Sequence, residues 1–127
     1  MRRALIVTVA VLVCALALCA LSQAALNRAV SRAEALHTQA LQAVEAGRPA
    51  QAEALLGELI GFWADRTPTL EKLVSHDALH DVAAALAEAK ICLACDDHDD
   101  FLRTMSTARL GLEHLHDEEA LSWENLY

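Results

Sequence analysis

The chain has 127 residues, and its 18 acidic residues outnumber its 10 basic residues, which gives a formal net charge of −8. An acidic surface repels nucleic acid and anionic headgroups, so this composition excludes a nucleic-acid-binding protein and suits a soluble domain or one with a basic partner. Ala and Leu dominate, β-branched residues are scarce after residue 26, and only four Gly and two Pro occur. Such a composition is typical of an all-α fold.

The N-terminal segment is an apolar run that is long enough to cross a membrane. Arg2 and Arg3 precede a run from Ala4 to Leu21 that is interrupted by a single threonine. A helix of about 20 apolar residues, rising about 1.5 Å per residue, spans the hydrocarbon core of a bilayer. Residues 1–26 are therefore predicted to form a transmembrane anchor.

The flanking residues predict the orientation of this anchor. A basic start favours a cytoplasmic N-terminus and an extracytoplasmic domain, although Arg28 and Arg32 beyond the run reduce the charge asymmetry. The competing interpretation is a signal peptide cleaved after Ala24, because Ser22 to Ala24 has the small-x-small pattern of cleavage sites. The run exceeds the usual length of about 7–15 apolar residues in a signal peptide, which favours a retained anchor in the cell membrane. Cleavage would give a secreted protein.

Residues 27–127 are predicted to form one small extracytoplasmic bundle, since apolar side chains recur at helical spacing and no linker follows the anchor. The predicted helices are the anchor helix continued to Gly47, then Pro49–Asp65, Thr69–Ala94, and a fourth helix that follows the acidic turn 96–100 and ends near residues 117–119. The apolar tail, residues 120–127, is expected to fold back onto the bundle. The helix pairs are reminiscent of tetratricopeptide hairpins, but two fall short of the three that a solenoid needs.

Two pairs of residues are candidate metal ligands: His76 with His80, and Cys92 with Cys95. His80 and Cys92 lie twelve residues apart on one predicted helix, which is about 18 Å along its axis. Bonds to zinc are only about 2.0–2.3 Å long, so one site cannot hold both pairs. The cysteines also lie at a predicted helix C-terminus, where the helix dipole does not activate a thiol. We predict no metal site and no cofactor, with a metal-binding or thiol redox sensor as the alternative.

No motif indicates catalysis. The acidic turn alternates Asp96, His98 and Asp100 like the start of a calcium loop, but Phe101 stands where that loop needs Gly. Asp97 or Asp99 is instead expected to cap the next helix. The serines lie in no nucleophile motif and no Gly-rich phosphate loop occurs, so we predict that the protein is not an enzyme.

Several features along the chain resemble one bacterial family. They are the N-terminal anchor, Trp63, Leu70, His76, the acidic turn before Phe101, and the closing Ser122-Trp123-Glu124-Asn125-Leu126. This layout resembles the small membrane-anchored proteins of clostridia and related Firmicutes catalogued as domain of unknown function 4363. The closing segment is similar to that family's Ser-Leu-x-Asn-Ile tail, with Trp and Leu at the second and last positions.

The resemblance implies a membrane location and a helical architecture, and it brings no activity. It also implies that His76 and Asn125 matter, and we interpret both as structural residues, with Asn125 bonding backbone where the tail docks. Cys92 and Cys95 match no feature of the family.

The anchor, the bundle and the lack of catalytic motifs together predict a non-enzymatic interaction or structural module at the outer face of the cytoplasmic membrane. The expected partner is a membrane or envelope protein. Self-association through the alanine-rich anchor is a further expectation, because small residues let helices approach closely.

Overall fold

The computed structural model describes the backbone of residues 1–124 and the side chains of residues 1–117. The described residues form four α-helices: α1 (Arg2–Glu45), α2 (Pro49–Leu70), α3 (His76–Ala94) and α4 (His98–Glu124). The described residues contain no strand. The predicted all-α class and the number of helices are therefore confirmed.

Helix α1 has two halves with different surroundings. Residues 4–21, which we call the apolar segment, are exposed along their whole length, and the segment is long and apolar enough to cross a membrane. Signal sequences share these properties. From Leu26 onward α1 carries a stripe of buried residues at spacings of three and four: Leu26, Val30, Ala33, Leu36 and Ala40. The prediction that the helix runs on from the apolar segment into the bundle is confirmed.

The four helices form an up-and-down ring in which α1 and α3 each pack against α2 and α4. Short turns connect neighbours, so neighbours are antiparallel. Gly47, between α1 and α2, has φ +74°, a conformation that residues with a Cβ rarely adopt. The end of α2 and the start of α3 therefore lie at the end of the bundle that is nearest the apolar segment, which we call the junction end. The core is filled by large buried side chains: Leu56, Leu59, Trp63, Leu79, Leu86, Phe101, Met105, Leu112 and Leu115.

Helix α2 continues five residues beyond the predicted end at Asp65, and Pro68 lies inside it. Proline removes one backbone donor and normally ends or kinks a helix. Here the continued helix brings Leu70 into the core at 2% exposure, and the Thr67 hydroxyl donates to the Trp63 carbonyl at 2.7 Å. Burial of Leu70 outweighs the local cost of the proline.

Helix α3 begins at His76 and not at Thr69, because Ser75 caps it by accepting a hydrogen bond from the Ala78 amide at 3.1 Å. The predicted start of this helix at Thr69 was therefore wrong. Asp97 caps α4 as predicted, accepting from the Asp100 amide at 3.2 Å.

Helix α4 extends to Glu124, so the predicted end near residues 117–119 was wrong. No Gly or Pro follows Gly111, and nothing in the sequence breaks the helix there. The docking contacts predicted for the tail fall on side chains outside the described residues.

Candidate functional site

The passage from the apolar segment into the bundle occurs within one helical turn. Ser22, Gln23 and Ala24 are partly buried, and Leu26 is fully enclosed by the core. The helix has no break here. Since a continuous α-helix is stiff over this length, the direction of the apolar segment fixes how the bundle is oriented.

A cavity of about 460 Å³ lies between α1 and α2 at the junction end. Three arginines line it, Arg28 and Arg32 on α1 and Arg66 on α2. The remaining lining includes Ala25, Ala29, Phe62, Thr69 and Leu70. We call this feature the arginine cavity.

The three arginines have different neighbours. Arg32 Nη2 lies 3.2 Å from Glu58 Oε1 in an exposed ion pair, and the Arg66 guanidinium sits 5.4 Å from the centre of the Phe62 ring. Arg28 is exposed and has no hydrogen bond or ion pair within the described part of the chain. The cavity therefore carries more cationic than anionic groups.

Sequence reasoning missed this cavity, because it treated Arg28 and Arg32 only as charges flanking the anchor. Their spacing of four residues does place them on one helical face. Arg66 lies near them only because α2 packs antiparallel to α1. The spacing of residues along the sequence does not indicate that pairing.

A buried histidine links α1 to α4. His37 is 2% exposed, and its Nε2–H donates to the Met105 carbonyl at 2.7 Å. Burial lowers the pKa of His37, the Met105 carbonyl partly offsets that effect, and the nearby Arg109 lowers the pKa further. The ring is therefore neutral at neutral pH, and its contact is that of a structural hydrogen bond. Sequence reasoning did not single out this residue.

The residues that carry the family resemblance mostly lie in the core. Trp63, Leu70 and Phe101 are buried, and the Trp63 indole N–H donates to the Leu79 carbonyl at 3.0 Å, which joins α2 to α3. His76 is exposed at the first turn of α3. The backbone of Ser122 belongs to α4. The side chain of Ser122, and the whole of Asn125 and Leu126, lie outside the part of the chain that the structure describes.

The candidate metal ligands fall into two separate pairs. The exposed rings of His76 and His80 stack with centroids 6.0 Å apart, and His76 Nδ1 lies 2.8 Å from Glu71 Oε1. Cys92 and Cys95 are free thiols at the other end of α3. Within the part of the chain that the structure describes, no group of three or more His, Cys, Asp or Glu side chains could hold a metal ion.

Cys92 lacks the surroundings of a reactive thiol. Loss of solvation raises the pKa of Cys92, and the carboxylates of Asp100, Asp97 and Glu88 raise it further. A raised pKa decreases the thiolate fraction, and the thiolate is the form that binds metals and attacks disulfides.

These observations define a class of protein, a four-helix ring whose first helix continues from a segment able to cross a membrane. Residues 20–126 match the sequence model of a domain of unknown function (DUF4363), and the chain belongs to this family. The resemblance inferred from the sequence is thereby confirmed. No curated protein and no solved structure matches the chain significantly.

Proposed function

We propose that this protein is a non-enzymatic, membrane-anchored interaction module whose bundle binds or braces another membrane or envelope protein. The observation that carries the proposal is helix α1, which is unburied over the apolar segment and forms part of the core from Leu26 onward. A flexible tether would let the bundle turn freely, whereas an unbroken helix presents chosen faces in a constant direction.

The proposed topology is a single pass with a cytoplasmic N-terminus and an extracytoplasmic bundle. Arg2 and Arg3 lie directly before the apolar segment and favour a cytoplasmic N-terminus, although Arg28 and Arg32 beyond it reduce the charge asymmetry. The rival is cleavage after Ala24 and release of the bundle. N-terminal sequencing of the protein isolated from cells distinguishes the two, because cleavage would give Ala25 as the first residue.

The proposed contact surface lies on the α3–α4 hairpin. Ile91 and Leu110 are 64% and 66% exposed, although both belong to helices that also build the core. α3 lies diagonally across the ring from α1, which leaves its outer face clear of the helix that carries the apolar segment. Apolar side chains within an acidic surface suit a partner that offers an apolar patch with a basic rim.

Site-specific photo-crosslinking in intact cells tests this proposal. A photoreactive residue at Ile91 or Leu110 is expected to give a heavier adduct containing a second membrane or envelope protein. Gln51 and Ala54, exposed on α2, serve as matched controls and are expected to give little adduct. Equal adducts at all four positions, or none under any growth condition, would contradict the proposal.

Self-association through the apolar segment has its own readout. Cys14 and Cys19 are both exposed on α1 within that segment. If two copies associate there, mild oxidation of membranes yields a disulfide-linked dimer that is lost on Cys14→Ser/Cys19→Ser. A monomer under the same conditions would argue against pairing of the segments.

A further inference from the structure

We propose that the arginine cavity binds the phosphate group of an anionic phospholipid headgroup. Three of the eight Lys and Arg residues that follow Arg3 line this one cavity, two from α1 and one from the next helix, α2. The proposal requires the apolar segment to lie in a bilayer. It does not depend on a protein partner.

The position of the cavity along α1 matches the headgroup layer. If residues 4–23 cross a hydrocarbon core of about 30 Å, Arg28 lies about 7 Å beyond that core and Arg32 about 13 Å beyond it. The headgroup layer extends about 5–8 Å outside the core on each side. The lower rim of the cavity, at Ala25 and Arg28, therefore lies at phosphate depth.

The side chains suit a phosphate. A guanidinium presents a planar fork of donors that matches two phosphate oxygens, and such charge-assisted pairs are among the stronger hydrogen bonds in proteins. Arg66 lies 5.4 Å from the centre of the Phe62 ring, and within the described part of the chain it forms no hydrogen bond or ion pair that would compete with a phosphate. The Thr69 hydroxyl adds a neutral donor, while Ala29 and Leu70 offer an apolar wall for the glycerol part of a lipid.

Glu58 competes only weakly with a phosphate for the arginines of the cavity. Glu58 pairs with Arg32, but both side chains are about half exposed at 52% and 54%, and an exposed pair of this kind contributes little. The chain as a whole is acidic, and its composition predicts repulsion of anionic headgroups. At about 0.1 M salt, however, charges more than about 10 Å away are largely screened, so the charges nearest the cavity matter more than the net charge of the chain, and none of the residues that line it is acidic.

An arginine next to a membrane segment can also serve only to place its charge in the headgroup region. That role accounts for Arg28, which lies next to the apolar segment. It does not account for Arg66, which comes from α2 and lines the same cavity. Basic residues are also less frequent on the outer side of a membrane. The convergence of both helices is what distinguishes a binding site from a flanking charge.

Lipid binding to the full chain in nonionic detergent micelles, measured by native mass spectrometry, tests the inference. We expect phosphatidylglycerol to bind at least about tenfold more tightly than phosphatidylcholine, and Arg28→Gln/Arg66→Gln to remove about tenfold or more of that affinity. Arg48→Gln/Lys90→Gln removes the same number of charges at the far end of the bundle and is expected to leave binding unchanged. Arg28→Lys/Arg66→Lys, which keeps the charge and loses the forks, is expected to bind with intermediate affinity.

Two results would overturn the inference. One is equal binding of phosphatidylglycerol by the unaltered chain and Arg28→Gln/Arg66→Gln. The other is inorganic phosphate that binds the chain as tightly as the lipid, which would assign the cavity to a soluble anion. Circular dichroism verifies that each variant keeps its helices; if the double variant unfolds, Arg28→Gln and Arg66→Gln alone are each expected to weaken lipid binding severalfold. Crosslinking at Ile91 is independent of either result.

Discussion

Substitution of one glycine tests the packing of α3 against α4. Gly111 lies on α4, and a Cβ placed there would come within 2.7 Å of Val82 Cγ2 on α3. In an exposed helix, Gly→Ala stabilises by about 1 kcal/mol. At Gly111 the buried and β-branched Val82 cannot rotate away easily, and overpacking of this kind costs about 1–3 kcal/mol. Gly111→Ala is therefore expected to change the free energy of unfolding by between about zero and 2 kcal/mol in the destabilising direction.

The matched controls lie on α2, where a Cβ on Gly57 or Gly61 would meet no atom within 4 Å. Gly57→Ala and Gly61→Ala are each expected to stabilise by about 0.5–1 kcal/mol. Chemical denaturation of the full chain in micelles, followed by circular dichroism, gives the three free energies. Val82→Ala combined with Gly111→Ala is expected to relieve the clash, so the effects of the two substitutions are non-additive. If Gly111→Ala stabilises as much as Gly57→Ala, the close approach of α3 and α4 at this point is wrong.

Three further outcomes follow from the site geometry. Folding lowers the pKa of His37 from its ordinary value of 6.5, so the unfolded chain binds more protons than the folded chain as pH decreases through about 6.5, and stability falls. Thermal unfolding between about pH 5 and pH 8 is expected to show a smaller loss of stability at low pH for His37→Gln than for the unaltered chain. Equal losses in the two proteins would contradict this. Because the pKa of Cys92 is raised, mass spectrometry is expected to show that Cys92 is alkylated more slowly than the exposed Cys95 near pH 8. Stoichiometric zinc in the protein that is lost on Cys92→Ser would instead support the metal-sensor alternative. Insertion of Gly-Ser-Gly-Ser after Ala24 is expected to leave the bundle folded and to decrease crosslinking to the partner about tenfold. The same insertion in the 95–97 turn is the control and is expected to have little effect. Unchanged crosslinking after the first insertion would count against a fixed orientation of the bundle.

The helices could be predicted from sequence because each contributes an apolar stripe at a spacing of three and four residues. In α4, for example, Phe101, Met105 and Leu112 follow that spacing, and all three are buried. The boundaries around Pro68 could not be predicted, since local preference for a helix end competes there with burial of Leu70. That competition is decided by tertiary packing, which the local pattern does not contain.

The features of the candidate site were harder to predict for a related reason. His37 is one polar residue on an apolar face of α1, and its hydrogen-bond partner is the backbone carbonyl of Met105 on α4, 68 residues further along the chain. A backbone carbonyl has no residue-specific signal in a sequence. The arginine cavity likewise needs the antiparallel pairing of α1 and α2 before Arg66 approaches Arg28.

An unbroken helix joins a segment that is able to span a membrane to the bundle. A nitroxide scan of residues 19–32 in the full chain, reconstituted in lipid nanodiscs, tests this claim most directly. We expect immobilised labels whose oxygen accessibility varies with a period of about 3.6 residues, without interruption from the apolar segment into the bundle. A run of mobile, water-accessible labels between residues 22 and 26 would contradict it.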